Sequence, residues 1–171
     1  MVNTSNSQLK HLLTWLRANK LSLNLSKTYT MPFSLSPRIR SLTVDIRIED
    51  TPIERVHATR FLGAIIDDQL SWSSHINHVA NKVAKSILNK VKHVLNTDTL
   101  VLLYYSLIYP YLYYCHLIWG KAAFTSLRQL IVLQKKAVRV ISRSSFFAHT
   151  APLFAQHKIL HLEDLYYMEI F

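Results

Sequence analysis

Glycine is nearly missing from this sequence, with only Gly63 and Gly120 in 171 residues. That scarcity excludes glycine-rich linkers and, beside abundant Leu, Ile, Val and Tyr, favours helices and strands over long loops. Cysteine is scarcer still: the lone Cys115 excludes an internal disulfide. Met1 runs into the polar stretch 2–8 rather than a basic segment followed by an apolar one, so no leader is expected. The expectation is an intracellular protein, nuclear or cytoplasmic, without a signal peptide.

Acidic residues are also few, ten against 20 Lys and Arg, and unevenly placed. Residues 1–68 hold nine basic and six acidic side chains, residues 69–162 hold eleven basic and Asp98 alone, and residues 163–171 hold three acidic and no basic ones. Eleven cations against one anion repel one another in a compact fold unless solvent or a polyanion offsets them. Nucleic acid is the commonest polyanionic partner, and a solvated basic surface is the other reading.

What is present supports a real core, since half of the residues are hydrophobic. Leu9, Leu12, Leu13 and Leu16 recur at helical spacing and predict an amphipathic helix over 5–20, with Trp15 beside the stripe. Thr28 to Phe33 follow a turn at Asn24 and are ended by Pro37. Val44, Ile46 and Ile48 alternate with Asp45, Arg47 and Glu49, a period-two pattern for a half-buried strand, and Glu49-Asp50 then makes a turn. Ile53 and Val56 fit a second short strand behind Pro52, and Phe61 to Ile66 is a continuous apolar run of strand length.

From Ser71 onward strand signals vanish. Trp72, Ile76, Val79, Val83, Ile87, Val91 and Val94 recur every three or four residues and fall on one arc of a helix. His75, His78, Lys82, Lys85, Asn89 and Lys92 fall on nearly the opposite arc, with Lys90 at the apolar edge. Residues 127–143 repeat the design, with Leu127, Leu130, Ile131, Val138 and Ile141 on one face. Arg128, Lys135, Lys136, Arg139 and Arg143 form the other, interrupted by Val132. Between these helices, residues 99–120 carry no formal charge and are long enough to cross a bilayer. Six tyrosines through the middle and Pro110 at the centre argue instead for two buried or half-buried helices, their hydroxyls reaching polar partners. No membrane partner is expected.

Several short motifs, in one order, carry a resemblance. Trp15-Leu16-Arg17-Ala18-Asn19-Lys20-Leu21-Ser22-Leu23-Asn24, followed by Lys27-Thr28, resembles motif D of the reverse transcriptases of non-LTR (LINE-type, jockey-like) retrotransposons. Pro52-Ile53-Glu54-Arg55-Val56 leading to Phe61-Leu62-Gly63 and Ile66-Asp67 resembles the strand pair that ends in their motif E. The likeness continues through Leu70-Ser71-Trp72 and His75-Ile76. The tyrosine-rich run Leu103 to Leu112, then Tyr114-Cys115, Trp119-Gly120, Leu133-Gln134-Lys135-Lys136-Ala137 and His149-Thr150-Ala151-Pro152-Leu153-Phe154, is similar to the thumb of jockey-like elements.

The resemblance implies an α+β fold: residues 1–70 as a palm remnant with a small antiparallel sheet, and residues 71–171 as a mostly helical thumb-like region. It implies descent from an RNA-directed DNA polymerase whose aspartates, in motifs that precede motif D, hold Mg²⁺. Only fourteen residues precede Trp15 and none is acidic. The resemblance therefore implies no complete catalytic set and no cofactor for this stretch, with Mg²⁺ belonging to the intact family. Asp67-Asp68 follows the Phe-Leu-Gly signature and reads as a strand-end turn. Lys27 holds the motif D lysine position, and Phe61, Leu62 and Gly63 would belong to a primer grip. Equally, Phe61 and Leu62 could be core and Gly63 a bulge.

Lys82, Lys85, Lys92, Arg128, Lys135, Lys136, Arg139 and Arg143 would face phosphates of an RNA or DNA primer–template, or form a solvated face. An upstream polymerase part is a possible further partner. The chain could alternatively be a nucleic-acid-binding module reused by a host, or a remnant without function. The spacings His75/His78 and His157/His161 suit Zn²⁺ only with further ligands, which the sequence does not cluster nearby. Cys115 reads as a small core residue, and no nucleophile–base set is recognisable.

Overall fold

The computed structural model describes residues 2–40, 45–85 and 88–171. The chain divides into two compact units, Met1–Leu70 and Ser71–Phe171. It is α+β, with the strands among the described residues confined to the first unit and the larger buried core in the second.

The first unit opens with α1 (Val2–Ala18), which packs against β2 (Arg47–Ile48). Its stripe is only half-covered: Leu9, Leu13 and Leu16 are half-buried, while Leu12 and Trp15 remain exposed. Asn6 fixes the packing with two hydrogen bonds of its side-chain amide, donating to the carbonyl of Asp45 (3.2 Å) and accepting from the N–H of Arg47 (3.1 Å). A 3₁₀ turn, Leu25–Lys27, leads into β1 (Tyr29–Thr30), and α2 (Pro37–Arg40) is a single turn.

Among the described residues the strands are shorter than the apolar patterns suggest, and they form three separate pairs rather than one sheet. β2 pairs antiparallel with β3 (Thr51–Pro52) across the expected turn at Glu49-Asp50, where Glu49 is left-handed at φ 56°. Ile48 points inward and Arg47 outward, as the alternation predicts; Val44 lies outside the described residues. β4 (Glu54–Arg55) pairs parallel with β1, not antiparallel, with Tyr29 opposite Glu54.

Phe61 to Ile66, expected as one strand, is a hairpin. β5 (Ala58–Phe61) turns at Leu62-Gly63 into β6 (Ala64–Asp67), with Phe61 opposite Ala64 and Ala58 opposite Asp67. Both turn residues have positive φ, 46° at Leu62 and 87° at Gly63. That is the requirement of a two-residue type I′ turn, whose twist matches the strands it joins. Gly63 meets it without steric cost; Leu62 does not. An apolar run alone carries no sign of φ, which is why the bend was not legible.

In the second unit, α3 (Ser73–Ala84) buries Ile76, Val79, Ala80 and Val83. The single long helix expected over 72–94 is interrupted. α3 ends at Ala84, where the N–H of Lys85 bonds back to the carbonyls of Asn81 and Val83, and α4 (Leu88–Val91) is one further turn. Ile87 and the Asn89 side chain lie outside the described residues. Val91 still packs on the core, but Val94, placed on the same arc, is 83% exposed because the helix has already ended.

The uncharged segment becomes three short helices, α5 (Thr97–Leu107), α6 (Tyr109–Tyr113) and α7 (His116–Trp119). Pro110 sits in the first turn of α6, where its missing N–H costs nothing. A second break, not expected, falls at Cys115, left-handed at φ 56° and half-buried against the core. Among the described residues no helix is long and apolar enough to cross a membrane. Leu100, Tyr104, Ile108, Leu112 and Trp119 are fully buried instead. α8 (Phe124–Ile141) is the long helix against which α3, α4 and α5 pack, followed by α9 (Ala151–Gln156) and α10 (Leu162–Ile170).

Candidate nucleic-acid interface

Because α8 is amphipathic, burying Leu127, Leu130, Val138 and Ile141 turns its cationic side outward. The rotation of that side is set by a polar residue the periodicity did not reveal. Gln134 is buried in the middle of the apolar face. Its Nε2 donates to the Tyr104 hydroxyl and to the carbonyl of Leu160, both at 2.9 Å, and its Oε1 accepts the N–H of Leu162 at 3.0 Å. One amide therefore ties α8 to α5 and to the start of α10. Burial pushes the Tyr104 hydroxyl far above its ordinary pKa, against a smaller opposing effect of the Gln134 bond, so it remains a protonated phenol.

The C-terminal end of α8 builds the site. Ser142 caps the helix, the N–H of Arg143 reaches the carbonyl of Val140 at 3.2 Å, and the N–H of Ser144 reaches that of Arg139 at 3.0 Å. These two bonds make a Schellman motif, whose left-handed position is usually glycine. Here it is Arg143, at φ 52°. The guanidinium donates to the carbonyl of Leu95 at 2.7 Å, holding the segment that follows α4. Arg139 donates through Nε to the carbonyl of Ala148 at 3.0 Å, holding the loop after α8.

Between these anchored segments lies a cleft of about 490 Å³, lined by Lys92, His93, Lys136, Arg139, Val140, Arg143, Ser144 and Phe146. No carboxylate appears in that lining among the described residues. Four permanent cations around one opening, with guanidinium donors fixed by backbone bonds, suit the oxygens of phosphate groups.

Of the eight cationic residues singled out by pattern, the structure brings Lys92, Lys136, Arg139 and Arg143 together here. Lys82, Lys85 and Arg128 are exposed elsewhere on the same unit, and Lys135 lines a separate cavity of about 270 Å³ with Gln134, Thr150 and Glu163. His75, placed by pattern on the polar arc of α3, is buried and meets the edge of Trp119 at 5.7 Å. The buried arc of α3 runs about 140°, from His75 round to Ala80, at roughly 100° per residue. It is wider than its aliphatic residues alone indicate.

In the first unit, Lys27 closes the exposed 3₁₀ turn, and Phe61 and Leu62 project at the hairpin tip, 60% and 77% exposed. They are not core, and Gly63 is a turn residue rather than a bulge. Asp67 and Asp68 are committed locally: Asp67 accepts the N–H of Gln69 at 3.1 Å, and Asp68, buried, pairs with the ring Nδ1 of His57 at 2.7 Å. They do not fit a two-metal site, which needs carboxylates converging from separate strands. No group of three or more His, Cys, Asp or Glu among the described residues could hold a metal ion. His157 bonds Ser142 at 2.9 Å, whereas His161 stacks on Phe154 at 3.9 Å.

No family model matches the chain, and no solved structure matches it. Three curated proteins show its relationships. The probable RNA-directed DNA polymerase from transposon X-element of Drosophila melanogaster is 25% identical over 155 residues, 88% of this chain and 17% of that protein. The RNA-directed DNA polymerase from mobile element jockey of Drosophila funebris is 26% identical over 155 residues, again 88% and 17%. The jockey polymerase of Drosophila melanogaster is 30% identical over 117 residues, 66% of this chain and 13% of that protein. The chain resembles jockey-like non-LTR retrotransposon reverse transcriptases. The likeness read from its short motifs is thus borne out, and it extends over nearly the whole chain. The chain spans about a sixth of the length of the relatives it matches, so the likeness is to a part of such a polymerase.

Proposed function

We propose that residues 1–171 are the motif D, motif E and thumb portion of a non-LTR retrotransposon reverse transcriptase, and that the second unit grips the primer–template by its phosphates. The observation that carries this reading is the cleft at the end of α8, where Lys92, Lys136, Arg139 and Arg143 converge without a carboxylate. The likeness to polymerases over part of their length supports the class of ligand. Phosphate contacts position a duplex without reading its sequence, so binding is independent of sequence. In the same reading the exposed tip Phe61-Leu62-Gly63 rests against the primer backbone, and Lys27 is the motif D lysine. No aspartate set for the two-metal reaction accompanies them within these residues, and we infer that this stretch alone does not polymerise.

The test is fluorescence anisotropy of a labelled primer–template against salt. Four phosphates neutralised give a slope of about −3.6 in log affinity against log salt, on the order of a hundred-fold between about 50 and 200 mM. Lys92→Glu with Lys136→Glu removes two of the contacts, lowers the slope to roughly −1.8 and weakens binding at low salt. Affinity indifferent to salt, or to this double reversal, refutes the assignment.

A further inference from the structure

The loop after α8 presents two adjacent aromatic rings to solvent, Phe146 at 66% and Phe147 at 88% exposure. They sit on an ordered turn, not a frayed tail. The N–H of Ala148 bonds the carbonyl of Ser145 at 3.0 Å, and the carbonyl of Ala148 accepts from Arg139, one of the cleft cations. The rings lie edge to face, 5.3 Å between centroids at 89°, so each restricts the other's rotation. Phe146 lines the cleft; Phe147 stands beyond it. Two large apolar side chains held outward by a backbone turn, beside a cation-lined opening, match the pairing used for single-stranded nucleic acid: cations for the backbone, aromatic faces for the bases.

We propose that Phe147, propped by Phe146, stacks on an unpaired base whose flanking phosphates occupy the cleft, so that this unit prefers a single-stranded segment or overhang to a continuous duplex. A base in a duplex offers no open face except at the ends, whereas an unpaired nucleotide beside a neutralised backbone offers both. The lining, cationic and without carboxylates among the described residues, is complementary to a polyanion, which favours a nucleotide over an apolar protein surface as the occupant. This inference rests on the phosphate-binding reading of the same cleft.

The closing experiment compares the full chain with Phe147→Ala and Phe147→Tyr, titrating a labelled oligothymidylate and a blunt duplex of equal length at about 50 mM salt. Phe147→Ala should weaken single-strand binding about ten-fold or more and leave the duplex affinity unchanged, while Phe147→Tyr restores the single-strand affinity. Irradiation of an oligonucleotide carrying 5-iodouracil should cross-link the peptide that holds Phe146 and Phe147. Retained single-strand affinity in Phe147→Ala, equal loss on both ligands, cross-links elsewhere, or binding to anionic vesicles that depends on Phe147 while oligonucleotide binding does not, each overturns the stacking proposal. Absence of binding to either nucleic acid at low salt overturns the phosphate reading with it, whereas steeply salt-dependent duplex binding with no effect of Phe147→Ala overturns the stacking alone.

Discussion

Replacing Gln134 with Met keeps the length of the side chain and removes every hydrogen bond it makes. Two of its partners are then stranded in the interior: the N–H of Leu162, on a residue 2% exposed, and the hydroxyl of Tyr104, which is fully buried. The carbonyl of Leu160 belongs to a residue 41% exposed and can turn to water. At about 1–3 kcal/mol for each buried group left unmade, the loss is about 4 kcal/mol. That is a large fraction of the 5–15 kcal/mol typical of a domain, and it lowers the thermal midpoint of the second unit by roughly 15–20 °C. Gln129→Met is the matched control, because Gln129 bonds Asn77 on the exposed surface at 2.6 Å and its loss should cost less than about 0.5 kcal/mol. Urea unfolding followed by far-ultraviolet circular dichroism reads both as midpoint shifts at constant slope. Stability of Gln134→Met within about 1 kcal/mol of the parent chain would falsify the clamp, and with it the claim that Gln134 sets how α8 presents its cations.

Two further outcomes follow from single residues. Arg143→Gly relieves a left-handed non-glycine residue, worth about 1 kcal/mol, and loses the bond to Leu95, worth about the same, so the urea midpoint should barely move. Phosphate binding should nevertheless weaken and its salt slope flatten by about one, and a fall in stability without a change in binding would contradict the site. His116 is buried with neither ring nitrogen hydrogen-bonded, and burial lowers its pKa below 6.5, the nearby backbone of Leu162 and Leu112 and the charge of Lys121 being lesser influences. The unfolded chain then takes up a proton that the folded chain resists. Stability is full above about pH 6.5 and falls as the pH drops below it, until folded His116 itself protonates. His116→Leu should flatten that acid limb of the urea midpoint, and an unchanged limb would assign the acid loss to other groups.

Much of the helical architecture is legible in the spacing of apolar residues, and α8 shows why: burial of one face of an 18-residue helix repeats the same signal five times over. The short strands are less legible. The pair of β2 with β3 offers a single inward side chain, Ile48, too few for periodicity, and the parallel pairing of β1 with β4 has no local signature at all. The site divides in the same way. That residues 69–162 carry eleven cations and one anion is a property of composition, and it raises a polyanionic ligand beside the alternative of a solvated basic surface.

Which four cations converge is decided elsewhere. Lys92 follows α4 while Lys136, Arg139 and Arg143 ride α8 or its end, and only the packing of α4 against α8 and the Arg143 bond to Leu95 bring them to one opening. Lys135, adjacent in sequence to Lys136, goes to another cavity because one step along a helix turns a side chain by about 100°. The sequence by itself determined the likeness to retrotransposon polymerases, the helical half and the sign of the charge, because those reside in residue types and their order. The tertiary structure decided the cleft, the buried Gln134 clamp, the inward His75 and the outward Phe146-Phe147 pair, because each depends on partners distant along the chain and on left-handed or capped backbone that no residue letter here announces.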